Sequence, residues 1–452
     1  MKIIIAGYGK VGSALTRQLS AEGYDLTIID SNKKMLESGQ ELYDVLGVYG
    51  NCATMDVLVQ AGVKSADLLI AATSLDEVNL LCCLTAHRLN KNIHTIARIR
   101  NPEYSEQIVM MRDFLGLSLL VNPEKQAAQE IERLIKYPGF RKRERFAHGR
   151  VEIAELLVTA DSPLNDIRIM DMSSVTKCRS LVCTVLRGGE AIAPNGTFVL
   201  REGDRLFVTA ATNELALILK NLGIVTHRVR RVIICGGGRI SYYLAQMLEK
   251  GNYQVQIIER DHDKCVQLAE LLPNASIVNG DASDLTLWES ERLSSDDAIV
   301  AMTGLDELNM IISLYVQNVG VSQVITKLSR TESTEILNNL NLNSVICPKD
   351  LCSNTIVGYV RGMKNHSGTS IAVHRIADGK SEATEFHVTK DTPNIGVPLK
   401  NIRLKKNVLI ASILHLSQCI IPNGDSTFEP GDTVIVVSDS EKAISRLSDI
   451  FE

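Results

Sequence analysis

Short apolar runs alternate with stretches of helical periodicity through the first quarter of the chain. Lys2–Ala6, Asp25–Ile29, Asp44–Tyr49, Asp67–Ala72 and His94–Ile99 read as strands, and Val11–Glu22 and Asp76–Leu89 carry helical patterns. Short apolar strands alternating with helices predict a parallel, doubly wound sheet. A strand near Ser118–Val121 closes it, and Asn122-Pro123 begins a further helix reaching Tyr137. Tyr137-Pro138-Gly139 breaks that helix, since proline lacks the amide hydrogen a helix needs. The charge run Arg141-Lys142-Arg143-Glu144-Arg145 that follows reads as a solvated linker, with a docking patch as the alternative.

From Val151 the texture changes. Val151–Ala160, Ser180–Leu186 and Arg205–Ala210 look like strands, punctuated by Pro194-Asn195-Gly196 and Glu202-Gly203-Asp204. Proline pre-sets one φ and Asn-Gly tolerates φ > 0, so these are turns. The pattern then starts again. Arg231-Val232-Ile233-Ile234-Cys235 running into Gly236 repeats Lys2–Ala6 running into Gly7 at an offset of 236 − 7 = 229 residues. Asp30 recurs as Glu259, and Thr73, Asp76, Glu77 and Asn79 recur as Thr303, Asp306, Glu307 and Asn309. The turns return as Pro422-Asn423-Gly424 and Pro430-Gly431-Asp432. The chain is a duplication with the order nucleotide-type domain, β module, nucleotide-type domain, β module. The expected boundaries are 1–123, 143–227, 231–348 and 368–452.

Composition narrows the function classes. With 452 residues, several domains are expected, and 45% hydrophobic with 22% charged residues is ordinary for a globular protein. Aromatics are only 4%, which leaves little for stacking single-stranded nucleic acid. A net charge of −5 gives no general attraction to nucleic acid or anionic lipid. The ten cysteines form no CxxC pair and the nine histidines are scattered, so no metal site is expected. Reduced, mostly buried thiols in a cytosol are the plain expectation. A strand beginning at Lys2 leaves no place for a signal peptide before it. Apolar runs such as Leu68–Ala72 and Val408–Leu414 fall far short of the ~20 residues that span a bilayer.

The glycines carry the candidate chemistry. Gly7-Tyr8-Gly9-Lys10-Val11-Gly12 follows a strand and opens a helix. Such a loop makes a tight turn, lets backbone N–H groups approach a pyrophosphate, and packs helix against strand. The phosphate then sits at the positive end of the helix dipole. Asp30, about 20 residues on, accepts from a ribose 2′-hydroxyl and repels a 2′-phosphate, favouring NAD(H) over NADP(H). In the second copy Gly236, Gly237 and Gly238 keep the phosphate turn, Arg239 and Ile240 follow, and Glu259 stands for Asp30. Ser241 replaces the third glycine, an expected loosening of helix against strand.

Ser74 to Glu77 spells a capping box, in which serine caps the helix and glutamate returns to its N–H. The same loop lies at the carboxyl edge of the sheet, so Thr73 and Thr303 are expected to line the sites. Arg98 and Lys327 end matching strands at that edge, where Arg98 is either a phosphate contact or a surface charge. No acid–base pair accompanies these residues, and the β modules are too small to hold a substrate opposite a nicotinamide. The nucleotide reads as a regulator.

Gly7–Gly12, Asp30, Ala72-Thr73-Ser74-Leu75-Asp76-Glu77-Val78-Asn79 and Ala97-Arg98 resemble the N-terminal domain of the RCK (or KTN) family. Ala191–Gly196 with Glu202–Leu206 resembles the RCK C-terminal module. Two such pairs in tandem, filling the chain, resemble the peripheral NAD-binding subunit of the bacterial Trk potassium-uptake system. The resemblance implies an α/β fold: tandem Rossmann-like parallel-sheet domains, each followed by a small α+β (β-rich) RCK C-terminal module. It implies a non-enzymatic, nucleotide-sensing gating subunit, cytoplasmic and peripheral on the inner (plasma) membrane. Such a subunit forms a homo-oligomeric ring, dimer or tetramer, on a Trk-type potassium transporter and binds no nucleic acid. NAD(H), and ATP or ADP as further candidates, are the implied ligands. By position Gly7 to Val11, Asp30, Thr73, Ser74 and Arg98 hold the first, and Gly238, Arg239, Ile240, Glu259, Asp281, Thr303 and Lys327 the second. Gly50-Asn51-Cys52 departs from the Gly-Asp-Ala pattern that Gly280-Asp281-Ala282 keeps. The alternatives are a soluble NAD-dependent dehydrogenase and the sensor subunit of a cation efflux antiporter.

Overall fold

The computed structural model describes the chain except residues 137–142, 225–228, 295–296, 322, 330–341, 343, 364–369, 417, 440–443 and 445. By contact the chain divides into two compact units, Met1–Glu132 with Arg230–Val357 and Arg133–Val229 with Gly358–Glu452. Like has gathered with like: each unit takes one module from each half of the duplication.

The first unit contains two six-stranded parallel sheets. In the first, the strands are β1 (Lys2–Ala6), β2 (Asp25–Asp30), β3 (Leu46–Tyr49), β4 (Leu68–Ala71), β5 (His94–Arg98) and β6 (Leu119–Val121), in spatial order β3-β2-β1-β4-β5-β6. Strand order reverses beside β1, which opens a crevice at the carboxyl edge. Helices α1 (Lys10–Ala21), α2 (Lys33–Leu42), α3 (Met55–Gln60), α4 (Asp76–Leu89), α5 (Pro102–Met111) and α6 (Pro123–Lys136) connect or follow these strands. Ile3, Ile4 and Ile5 are all buried, as a strand covered on both faces requires.

The expected helix over Asp76–Leu89 is found as read, and strand ends move by only one or two residues. The capping box is not found. The cap position of α4 is Leu75, with no side-chain cap bond. The loop is instead closed by the buried Asn79, whose Oδ1 accepts from the Thr73 N–H at 2.8 Å and the Thr73 hydroxyl at 2.7 Å. Glu77 turns away and accepts from the Tyr104 hydroxyl at 2.7 Å. A six-residue side-chain bridge has displaced the local motif.

The unit's remaining strands, β12 (Arg231–Cys235) to β17 (Ser344–Ile346), repeat the order as β14-β13-β12-β15-β16-β17, with β13 at Gln254–Glu259, β14 at Ser276–Asn279, β15 at Asp297–Ala301 and β16 at Gln323–Lys327. Their helices are α9 (Arg239–Lys250), α10 (His262–Leu271), α11 (Leu285–Glu291), α12 (Asp306–Asn318) and α13 (Pro348–Met363).

In the second unit the first β module orders β7 (Arg143–Phe146), β8 (Val151–Leu157), β9 (Ser180–Arg187), β10 (Glu190–Ile192) and β11 (Arg205–Ala210) as β10-β9-β11-β8-β7, all antiparallel, with helices α7 (Met172–Thr176) and α8 (Thr212–Asn221). The second repeats this with β18 (Ser370–Ile376), β19 (Ser381–His387), β20 (Val408–His415), β21 (Gln418–Ile420) and β22 (Thr433–Asp439), in order β18-β19-β22-β20-β21. The two sheets share one core, to which Phe146, Ile153 and Phe207 contribute from one module and Ile376, Ala383 and Ile435 from the other. The described part of the charge run is therefore no linker. Arg143 begins the edge strand, is only 5% exposed, and pairs with the buried Glu152, which also binds Arg145 at 3.1 Å. Residues 141 and 142 lie outside the described residues.

Candidate functional site

The glycine loop of the first copy is shaped by contacts that leave no room for side chains. Gly7 has φ +96°, a region that favours glycine, and a Cβ there would lie 2.9 Å from the Thr73 backbone. At Gly12 a Cβ would sit 1.9 Å from the Gly7 carbonyl oxygen, so the first turn of α1 is pressed onto the loop. Gly9, at the cap of α1, faces open space. The loop therefore offers unfilled volume at a helix N-terminus, where amide hydrogens and the helix dipole favour an anion.

Asp30 ends β2 and reaches the loop. Its Oδ2 accepts from the Tyr8 N–H at 2.6 Å, and Oδ1 from the Asn32 N–H at 2.8 Å. Glu259 does the same in the second copy, accepting from the Gly237 N–H at 2.6 Å and the Asp261 N–H at 2.9 Å. A carboxylate has about four acceptor positions, so each acid keeps capacity for a further donor such as a hydroxyl. The loops solve one packing problem in opposite ways. Tyr8 is buried against Gly39 of α2, where a Cβ would approach its ring to 2.8 Å; in the second copy Leu268 fills that position, and a Cβ on Gly237 would meet it at 2.6 Å.

Ser241 does not loosen the second loop. It is buried, and its hydroxyl donates to the Gly236 carbonyl. The departure at Asn51 is likewise absorbed locally. Asn51 Oδ1 accepts from the Ala53 N–H at 3.0 Å, as Asp281 Oδ1 accepts from the Ser283 N–H at 2.8 Å. What differs is charge, since Ser283's backbone and hydroxyl hold the Asp281 carboxyl below its usual range.

At the carboxyl edge, Thr73 and Thr303 stand beside their glycine loops. Arg98 is half-buried and donates to the Thr73 carbonyl, while Asn79 Nδ2 donates to the Arg98 carbonyl at 2.8 Å. It is therefore not a surface charge, and its Nε has no partner among the described residues. Burial, then the neighbouring Arg100, lower its pKa. Lys327 reproduces the arrangement, donating to the Thr303 carbonyl at 2.7 Å, and burial lowers its pKa also. Ser74 contributes its carbonyl, which accepts from Arg100 at 2.5 Å. Val11 and Ile240 pack inward at the starts of α1 and α9.

Sequence reasoning missed four residues that organise these sites. Asn79 and Asn309, both buried, tie threonine to cation; Asp76 accepts from the Arg100 and Asn101 N–H groups at 2.8 and 2.7 Å. Their recurrence at a fixed offset was the available signal. Tyr243 of α9 is the fourth: it accepts from Asn122 Nδ2 at 3.0 Å and donates to the Arg100 carbonyl at 3.3 Å. The second copy's first helix thus touches the first copy's sheet edge. The cations follow suit, for Lys10 lowers the Lys327 pKa, while Glu124, raised by burial, is pulled back by Arg100, Arg98 and Arg239.

Among the described residues no helix is long and apolar enough to cross a membrane, and no group of three or more His, Cys, Asp or Glu residues could hold a metal ion. Nine of the ten cysteines are buried.

The TrkA-N domain model matches residues 3–123 and 232–348, and the TrkA-C domain model matches 153–223 and 383–451. A Trk system potassium uptake protein TrkA homolog from Archaeoglobus fulgidus is 33% identical over 452 residues, the full length of both chains. The Trk system potassium uptake protein TrkA of Vibrio alginolyticus is 29% identical, covering 100% of this chain and 99% of its own. A solved GsuK channel bound to NAD has a TM-score of 0.62 at 19% identity, covering 97% of this chain and 77% of that one, and shares the fold.

Proposed function

The chain belongs to the TrkA family of potassium-uptake proteins and is not a dehydrogenase; from that premise we propose that it gates a membrane potassium transporter according to the nucleotide it holds. Its relatives are named for potassium uptake, and a channel of the same fold is described as bound to NAD. NAD(H) is the ligand proposed for the first copy, with ATP and ADP competing for either. The protein works as a homo-oligomeric ring on the cytoplasmic face of the membrane.

One observation carries the reading: two glycine loops, each with its acid and edge cation, lie in one compact unit, and Tyr243 of the helix that follows the second loop bonds Asn122 and Arg100 at the first sheet's edge. In the first site, backbone N–H groups of Gly9 and Lys10 at the start of α1 bind phosphate oxygens. Asp30 accepts a ribose hydroxyl, and its negative charge disfavours a 2′-phosphate. Arg98, with a donor to spare, neutralises phosphate charge at the sheet edge, with Thr73 and Ser74 beside it. In the second site Gly236 to Ile240, Glu259, Asp281, Thr303 and Lys327 take these parts. A nucleotide on the second loop bears on α9, hence on Tyr243, and so on Asn122 and Arg100 of the first half. A ligand that prefers one arrangement of the halves shifts the population toward it by no more than its differential affinity. Docked to a transporter, that shift becomes open probability.

The test reconstitutes the transporter in vesicles with and without this protein and titrates NADH, NAD+, ATP and ADP. Potassium flux should depend on the protein and differ between nucleotides. Flux indifferent to all of them would refute the proposal.

A further inference from the structure

The two β modules meet where a residue faces its own counterpart. Glu144 opposes Ile153 across β7 and β8, and His374 opposes Ala383 across β18 and β19. Both pairings shift by 230 residues, so Glu144 and His374 occupy one position in the two copies. They are also in contact: His374 Nδ1 lies 2.7 Å from Glu144 Oε2, and both side chains are mostly buried. Equivalent residues touch only near a two-fold axis, as in an isologous dimer. This unit is therefore a dimer of like modules joined in one chain, and the pair sits on its pseudo-axis.

The residues around that axis have become unlike in complementary ways. His374 packs edge-on against Phe146 at 4.8 Å, where the second copy has Ile376 in place of the phenylalanine. Arg205 of the first module binds Asp378 of the second through two bonds, at 2.6 and 3.0 Å, and holds Glu155 of its own module at 2.6 Å. Thr433 stands at the Arg205 position in the second copy, so the mirror-image bridge cannot form. By contrast the Arg145–Glu152 pair, which stays within one module, recurs unchanged as Arg375–Glu382. The neighbouring Arg143–Glu152 pair does not recur, because Val373 stands at the Arg143 position, so divergence falls both within the modules and in the bonds that cross the interface.

We propose that Glu144–His374 and Arg205–Asp378 form a pairing code that directs the first β module to the second module of the same chain. Joining two first modules would set Glu144 against Glu144 in a mostly buried site. Joining two second modules would set His374 against His374 and leave Asp378 without its arginine. Burying like charges, or charges without partners, opposes association and so selects against the wrong pairing. The code goes beyond nucleotide gating. It ensures that a ring of several chains, each carrying two similar modules, closes every module pair within a chain.

The experiment uses the full-length protein in four forms: wild type, H374E, E144H and the exchange E144H/H374E. Unfolding midpoint and particle mass by light scattering are read for each. Either single substitution should lower the midpoint by about 2–4 °C for a unit of this size and add species heavier than the wild-type particle. The exchange restores an unlike pair, though the transplanted imidazole then meets Ile376 rather than phenylalanine, and should recover at least half of the lost midpoint and the wild-type mass. Single variants matching wild type in midpoint and mass would overturn the proposal. So would an exchange variant no better than the worse single one. Nucleotide-dependent flux does not enter these readings, so failure here is distinguishable from failure of the gating role.

Discussion

Replacing Gly12 with alanine tests whether the first glycine loop depends on backbone contact. The added Cβ would lie 1.9 Å from the Gly7 carbonyl oxygen and 3.0 Å from its carbonyl carbon. Both are backbone atoms of a residue at φ +96°, so no side-chain rotation relieves the clash. The peptide itself must shift by more than about 1 Å, roughly what ordinary C···O contact demands. Overpacking of this kind costs about 1–3 kcal/mol and sometimes more. Alanine returns about 0.8–1 kcal/mol of helix propensity inside α1, leaving a net loss of about 0–2 kcal/mol. The larger effect should be on ligand affinity, because the Gly7 peptide leads the phosphate turn. A loop displaced on that scale forfeits one or two charge-assisted hydrogen bonds of about 1.5–3 kcal/mol each, a weakening of tenfold or more. The assay is calorimetric titration of NADH with Glu259→Ala as background, so that the first site is read alone, alongside urea unfolding. If Gly12→Ala kept wild-type stability and affinity, close approach of Gly7 to α1 would not shape the site.

Gly237→Tyr should destabilise the second nucleotide domain by about 1–3 kcal/mol through collision with Leu268, and Leu268→Gly added to it should recover part of the loss, recreating the Tyr8–Gly39 pair; a strictly additive double mutant in urea unfolding would count against the exchange. Asp30→Ala should weaken NADH binding by about 1–3 kcal/mol, losing the ribose acceptor and releasing the Tyr8 and Asn32 N–H groups; unchanged calorimetric affinity would dismiss the assigned role. Asp297 is held below its usual pKa: burial pushes it up, but Arg231 and the Ser294 N–H outweigh this. Its contribution is thus fully present above the unfolded value of about 3.9 and disappears as pH falls below it. Wild type should lose stability faster than Asp297→Asn on acidification, and parallel curves from about pH 6 to 3 would refute the assignment.

Much of the sites was legible because their logic is local. A glycine turn, its helix and an acid at the end of the next strand are set by spacing, and Gly7 to Gly12 with Asp30 meet where that spacing requires. The errors share a cause as well. Ser74 and Glu77 spell a cap, yet Asn79 closes the loop on Thr73 instead, and Glu77 accepts from Tyr104, a residue of α5 that only folding brings near. Arg143 belongs to a run of charges in sequence, but a strand turns it onto Glu152 inside the second unit. The position of Arg98 in sequence suits a phosphate contact and a surface charge equally, and it is the Thr73 carbonyl that draws it inward.

By itself the sequence determined the duplication, the alternation of parallel-sheet domains with β modules, and the residues that make the two glycine turns. These rest on periodicity and offset, which survive in a linear chain. Only the tertiary structure decided that like modules gather across the repeat, that Tyr243 bridges the two halves of the first unit, and that Glu144 meets His374. Each of these depends on contacts between residues far apart in the chain. Their free energy comes from burial and geometric fit between surfaces, and no local pattern of polar and apolar residues encodes which surface will be the partner.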